Sequence, residues 1–194
     1  MIAAEESAMN RPCDPRSPID CRSPIDLPAS CAQFARQADA IHALAAGANE
    51  AQSRWRPDAE SWSLLEVINH LADEEGEDFR ARLDLLLHRP ADPWPPIDPQ
   101  GWVRSRAYNE RDLAASLARF REARADSLTW LRGLHGPAWD NSAPTPWGGR
   151  LRAADLLAAW LAHDLLHLRQ LVELQYAWLA QQHDPQGLDY AGDW

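Results

Sequence analysis

Lysine is absent from this 194-residue chain; all 19 basic residues are arginines. That excludes lysine Schiff-base chemistry and the phosphate-binding loop that depends on a lysine. Cysteine is scarce. Cys13, Cys21 and Cys31 lie near the N-terminus with no Cys-x-x-Cys pair, so neither a zinc knuckle nor a disulfide framework fits, and a reducing cytoplasm is the expected location. No apolar run approaches the roughly 20 residues that a membrane helix needs. The opening Met1-Ile-Ala-Ala-Glu-Glu lacks the basic and apolar regions of a secretory signal. Positive charge is also in deficit. A net charge of -10 repels nucleic acid and anionic lipid, so a small molecule is the expected partner.

What is present reads as an all-α domain between two tails. Residues 1–27 carry Arg-Ser-Pro-Ile-Asp twice, at 16–20 and 22–26, with no helical or strand period, and are expected to be a flexible arm. Residues 28–182 hold four amphipathic segments, and 183–194 form a polar tail. The first segment spans about 30–46, with Ser30 and Gln33 as a capping box and Gly47 as a stop. The second spans about 63–88, with Ser63 and Glu66 as its box, Trp62 stapling onto Val67, and Pro90 beyond its end. A proline-rich loop, 90–108, follows and carries Trp94 and Trp102. Loops of this length often act as lids or pocket walls. The third segment spans about 110–134 behind Asn109. The fourth spans about 152–181, after a second loop rich in Pro, Gly and Trp. Nothing between them alternates cleanly enough for a strand. Four such segments predict a four-helix bundle, with the long proline-rich loop between helices 2 and 3.

The fourth segment carries the chemistry. At 100° per residue, Leu156, Trp160, His163, His167, Leu171, Leu174 and Trp178 form one stripe, so both histidines face the core. Their i, i+4 spacing lets two imidazoles reach one metal ion at about 2.0–2.1 Å. The same pattern fits two core histidines, each bonded to a buried carbonyl or carboxylate. Asp164 lies inside the apolar arc and needs a partner, either a ligating His that it orients or an arginine. By periodicity His70 lies on the surface with Glu66, Glu74 and Glu77, opposite the leucines. The run Asp73 to Asp78 reads as a solvated acidic face.

Residues 30–180 resemble the DinB-like, damage-inducible superfamily of metal-binding four-helix bundles. Three passages carry the likeness: Trp62 to Glu75 with His70 inside it; Asp98 to Trp102 followed by Tyr108 to Leu113 and Phe120 to Arg124; and Leu156 to Gln170 around His163 and His167. The chain departs from the pattern at Arg152, where Thr or Ser is usual, and at Pro144 to Trp147, where a His is usual. The resemblance implies a triad of His70, His163 and His167 holding one divalent metal, zinc or nickel first among the candidates. It also implies a low-molecular-weight thiol as co-substrate. Read from the residues, Trp62, Trp102 and Trp160 are expected to line the mouth of the site.

On that basis the expected activity is thiol S-transfer to a small electrophile, with Glu74 or Asp73 as proton acceptor. A metal-dependent hydrolase and a non-catalytic metal-binding or stress-related interaction protein are the alternatives. A di-metal carboxylate bundle built from the Asp39/His42 and Asp164/His167 pairs fits less well, because it leaves His163 unexplained. Oligomeric state stays open, with a homodimer among the outcomes.

Overall fold

The computed structural model describes residues 25–184 and 187–192. Cys13, Cys21 and the first Arg-Ser-Pro-Ile-Asp copy lie outside those residues. Only Ile25 and Asp26 of the second copy lie inside.

The order of elements is α1 (Leu27–Ala45), α2 (Glu50–Arg54), α3 (Leu64–Glu74), a π-helical turn (Glu75–Arg80), α4 (Ala81–His88), α5 (Pro99–Ser105), a 3-10 turn (Tyr108–Glu110), α6 (Leu113–Arg132), β1 (Ser142–Pro144), β2 (Arg150–Arg152), α7 (Ala153–Gln182) and a last 3-10 turn (Asp189–Ala191). The segment α3–π–α4 forms one rod, and with α1, α6 and α7 it builds a four-helix bundle. No helix among the described residues is long and apolar enough to cross a membrane.

Two helix starts differ from the sequence expectation. Helix α1 is capped by Asp26, whose Oδ1 accepts from the Ala29 amide at 2.9 Å, while Ser30 Oγ donates to the Asp26 carbonyl. Pro28 in the first turn favours this earlier start, because its missing N–H costs nothing there. Helix α6 is capped by Asp112, not Asn109. Asn109 sits in the 3-10 turn, where its side chain accepts from Ser63 Oγ and donates to the Arg54 carbonyl. The Ser63–Glu66 box of α3 forms as the sequence predicts.

The loops are more ordered than the sequence suggests. Asp98 caps α5 inside the proline-rich loop. In the second loop β1 and β2 pair antiparallel, Ser142 with Arg152 and Pro144 with Arg150. Their turn uses Gly148 and Gly149 at φ 101° and 78°, a backbone region that glycine enters without strain. Three-residue strands are too short to leave an alternating signature.

The core runs along the bundle in two clusters. One packs Phe34, Phe79, Leu83, Leu86 and Leu157 around Trp160; the other packs Ile41, Ile68, Phe120 and Leu171. Phe79 stacks on Trp160 at 5.6 Å with the rings 8° from parallel.

The acidic run is not a solvated face. Asp73, Glu74, Glu75 and Asp78 are buried, and Glu77 alone of its acids is exposed. The reason is that α3 has neighbours on every side: α2, α5, the 3-10 turn, α6 and α7. A helix so enclosed buries its polar residues too, and each then needs a partner. Asp73 receives Arg106 at 2.6 Å, the Tyr108 hydroxyl and Arg119. Glu75 takes both arms of Arg124 at 2.6 and 2.8 Å. Arg124 also donates to Asp164 at 2.7 and 2.9 Å and to the Phe34 carbonyl. This buried Glu75–Arg124–Asp164 triad ties the π turn and α7 to α6.

Candidate metal centre

His70 on α3 is only 4% exposed, so the surface position that periodicity predicts for it is corrected. Trp62 covers it, with ring centroids 4.7 Å apart in a T-shaped contact. His163 and His167 approach from α7. His167 Nε2 lies 3.1 Å from His70 Nε2 and 3.1 Å from His163 Nε2. The three ligand-type nitrogens all lie within 4.8 Å of one another. Nitrogens bound tetrahedrally at 2.0–2.1 Å would stand about 3.3 Å apart, close to the spacing found.

The donor set suits a cation. His167 Nδ1 faces Gln170 Oε1 at 2.8 Å. An amide oxygen only accepts, so this contact favours the tautomer with the proton on Nδ1 and the Nε2 lone pair free. Burial, with His163 adding to it, pushes the pKa of His70 down to about 3. Burial, followed by the nearby His163 and His70, does the same to His167. Both rings are therefore unprotonated at neutral pH. Glu74 lies beside the cluster, with Oε2 2.9 Å from His163 Nε2 and 3.3 Å from His70 Nε2. Three imidazoles, two of them held neutral, fit a divalent metal ion.

The three histidines open into a cavity of about 790 Å³, also lined by Glu74, Trp62, Gln100 and Gln170. Here the proposed mouth needs revising. Trp62 is part of it. Trp160 is not: it is 1% exposed in the core and donates to Glu75 Oε2 at 3.3 Å. Trp102 packs over the Arg106 guanidinium at 4.1 Å, and Pro99 and Gln100 form the wall instead. Asp73 does not line the cavity either; its carboxylate is engaged by Arg106, Tyr108 and Arg119. A second cavity of about 710 Å³ lies beside His42, between α1 and the start of α6. His42 joins no cluster of metal-type donors among the described residues, and Asp164 is committed to Arg124, which disposes of the di-metal arrangement.

Gln170 was not singled out by the sequence, although it sits one turn beyond His167 on the same face, where a partner for that ring should be sought. Arg124 gave no local signal at all, since its partners come from elements about 40 and 50 positions away.

Comparison with known proteins bears on the family and the fold. A model of the DinB superfamily matches residues 33–171. No curated protein sequence matches the chain. Among solved structures, the chain is similar to YfiT from Bacillus subtilis, described as a probable metal-dependent hydrolase with an unusual four-helix bundle topology. The TM-score is 0.71 at 18% identity, covering 82% of this chain and 91% of that one. It is also similar to a mutant of a mycothiol-dependent maleylpyruvate isomerase, with a TM-score of 0.61 at 14% identity, covering 76% of this chain and 61% of that one. These identities establish a shared fold, and this chain spans less than two thirds of the isomerase.

Proposed function

The chain belongs to the DinB superfamily, and we propose that its three-histidine centre holds one divalent metal ion, zinc or nickel, and serves the transfer of a small thiol to an electrophile. The observation that carries the proposal is the convergence of His70, His163 and His167 from two helices onto one point, with two of the rings held unprotonated by burial. A divalent ion bound there would lower the pKa of a thiol and supply a thiolate nucleophile.

The chain's own residues have distinct tasks. The three Nε2 atoms would hold the ion. Gln170 fixes the His167 ring and its tautomer. Glu74 Oε2, within 3.3 Å of two of the ligands, accepts the proton that the thiol gives up. Trp62 walls His70 from water. The likeness to a mycothiol-dependent isomerase supports a thiol reading of the site.

A hydrolytic reading uses the same residues, with Glu74 taking a proton from water, and the likeness to YfiT favours it. The two readings separate in one experiment. Metal-replete chain is incubated with a panel of thiols and an aryl-halide electrophile, and free thiol is followed; ester and amide substrates are run in parallel. Thiol loss that needs both the metal and His167 supports the transferase. Hydrolysis without thiol consumption replaces it with the hydrolase, and metal uptake with no turnover of either kind reassigns the chain as a binding protein.

A further inference from the structure

Resting on the metal-site reading above, we infer that this cavity selects a substrate whose group beyond the metal is cationic, an alkylammonium or similar amine, and disfavours carboxylate- or phosphate-bearing ones. The wall carries three carboxylates, Glu60, Glu74 and Glu173, and no arginine lines it. A divalent ion would offset two of the three carboxylates and leave one in excess.

Arg56 and Arg104 line an adjoining cavity, which shares Glu60, Trp62 and Gln100 with this one, but neither lines this one. Arg56 forms a two-pronged pair with the buried Glu66. Arg169 lies 3.3 Å from Glu173, but that pair is solvent-exposed and neutralises the carboxylate only weakly. An anionic substrate tail therefore finds no bidentate partner here, which is what its recognition usually requires.

A cation finds two kinds of partner. Trp62 lines the cavity, and its ring lies within 4.7 Å of the His70 ring, so a group a few bonds from the metal would rest against it. Indole is the best of the aromatic faces for an ammonium group. Glu60, exposed at the rim beside Trp62, supplies the counter-charge. The neutral amides of Gln100 and Gln170 complete the wall without adding positive charge.

The test uses the full chain loaded with cobalt(II) and three small thiols that differ in charge: cysteamine, 2-mercaptoethanol and thioglycolate. Binding is read from the thiolate-to-cobalt charge-transfer band, not from turnover. Cysteamine should bind at least about tenfold more tightly than thioglycolate, as expected for a carboxylate within a few ångströms at an intermediate dielectric. The double variant Glu60→Gln/Glu173→Gln, both sites exposed and away from the core, should shrink that ratio by about threefold or more. Comparing wild type with variant cancels the differing basicity of the thiols. An unchanged ratio, or a preference for thioglycolate, overturns the inference.

A metal-free arm keeps it separate from the reading on which it rests. The apo chain is titrated with benzylamine and with benzoate while the Trp62 indole N–H resonance is followed, assigned with Trp62→Phe. Benzylammonium should move the resonance and benzoate should not; equal response to both overturns the inference. Failure of cobalt to bind, with the amine preference intact, sinks the metal reading and leaves the charge preference standing.

Discussion

His167 Nε2 and His70 Nε2 meet at 3.1 Å although 97 positions separate them in the chain. One residue comes from α3 and the other from α7, so the contact exists only when the bundle is closed. Any cation shared between them stabilises the folded chain over the unfolded one by mass action.

Glu74 is the first residue to test. Glu74→Gln keeps the shape of the side chain and removes its capacity to accept a proton. The variant should bind metal as the parent does and lose about 10²–10⁴-fold in kcat, the usual share of a general base. Metal content and turnover measured on the same sample check this. Loss of the metal itself would make Glu74 a ligand and not a proton acceptor.

Arg124 should matter for stability rather than chemistry. It pairs with Glu75 and Asp164, and all three are almost fully buried. Arg124→Met strands two carboxylates in the core, which should cost about 3–5 kcal/mol in urea unfolding. Adding Glu75→Gln and Asp164→Asn to the same chain should restore part of that loss, because no uncompensated charge then remains. Failure of the added changes to recover any stability would show that the arginine acts through packing alone.

The metal-free chain should be acid-sensitive. His70 and His167 titrate near 6.5 when unfolded and at about 3 when folded. The unfolded state therefore binds more protons between those values. Stability is complete above about pH 6.5 and falls as pH drops toward 3, by about 1.4 kcal/mol per pH unit for each histidine. Thermal unfolding across that window checks the slope. His70→Gln/His167→Gln should flatten it, and an unflattened profile would assign the acid sensitivity to other groups.

These outcomes also bear on what the sequence could disclose. The stripe through His163 and His167 and the Ser63–Glu66 box were legible because each signal is contained within one helix. The bounds of α7, Ala153–Gln182, follow from the same periodicity. The burial of His70, Asp73 and Glu75 was not, because it depends on α5, α6 and α7 folding around α3, and no pattern in α3 records that. Its acids look like a solvent face until Arg106, Arg119 and Arg124 arrive from positions far along the chain. The resemblance to a known family, and not periodicity, pointed to His70. Trp102 and Trp160 run the other way: a loop position and nearness to His163 predict the mouth for them, whereas one packs on Arg106 and the other fills the core.

The most direct test is elemental analysis of the chain as purified, set beside His167→Ala. The geometry predicts about one equivalent of a divalent transition metal per chain in the parent and almost none in the variant. An equal metal content in the two proteins, or none in a parent supplied with zinc and nickel, would contradict a shared centre at His70, His163 and His167.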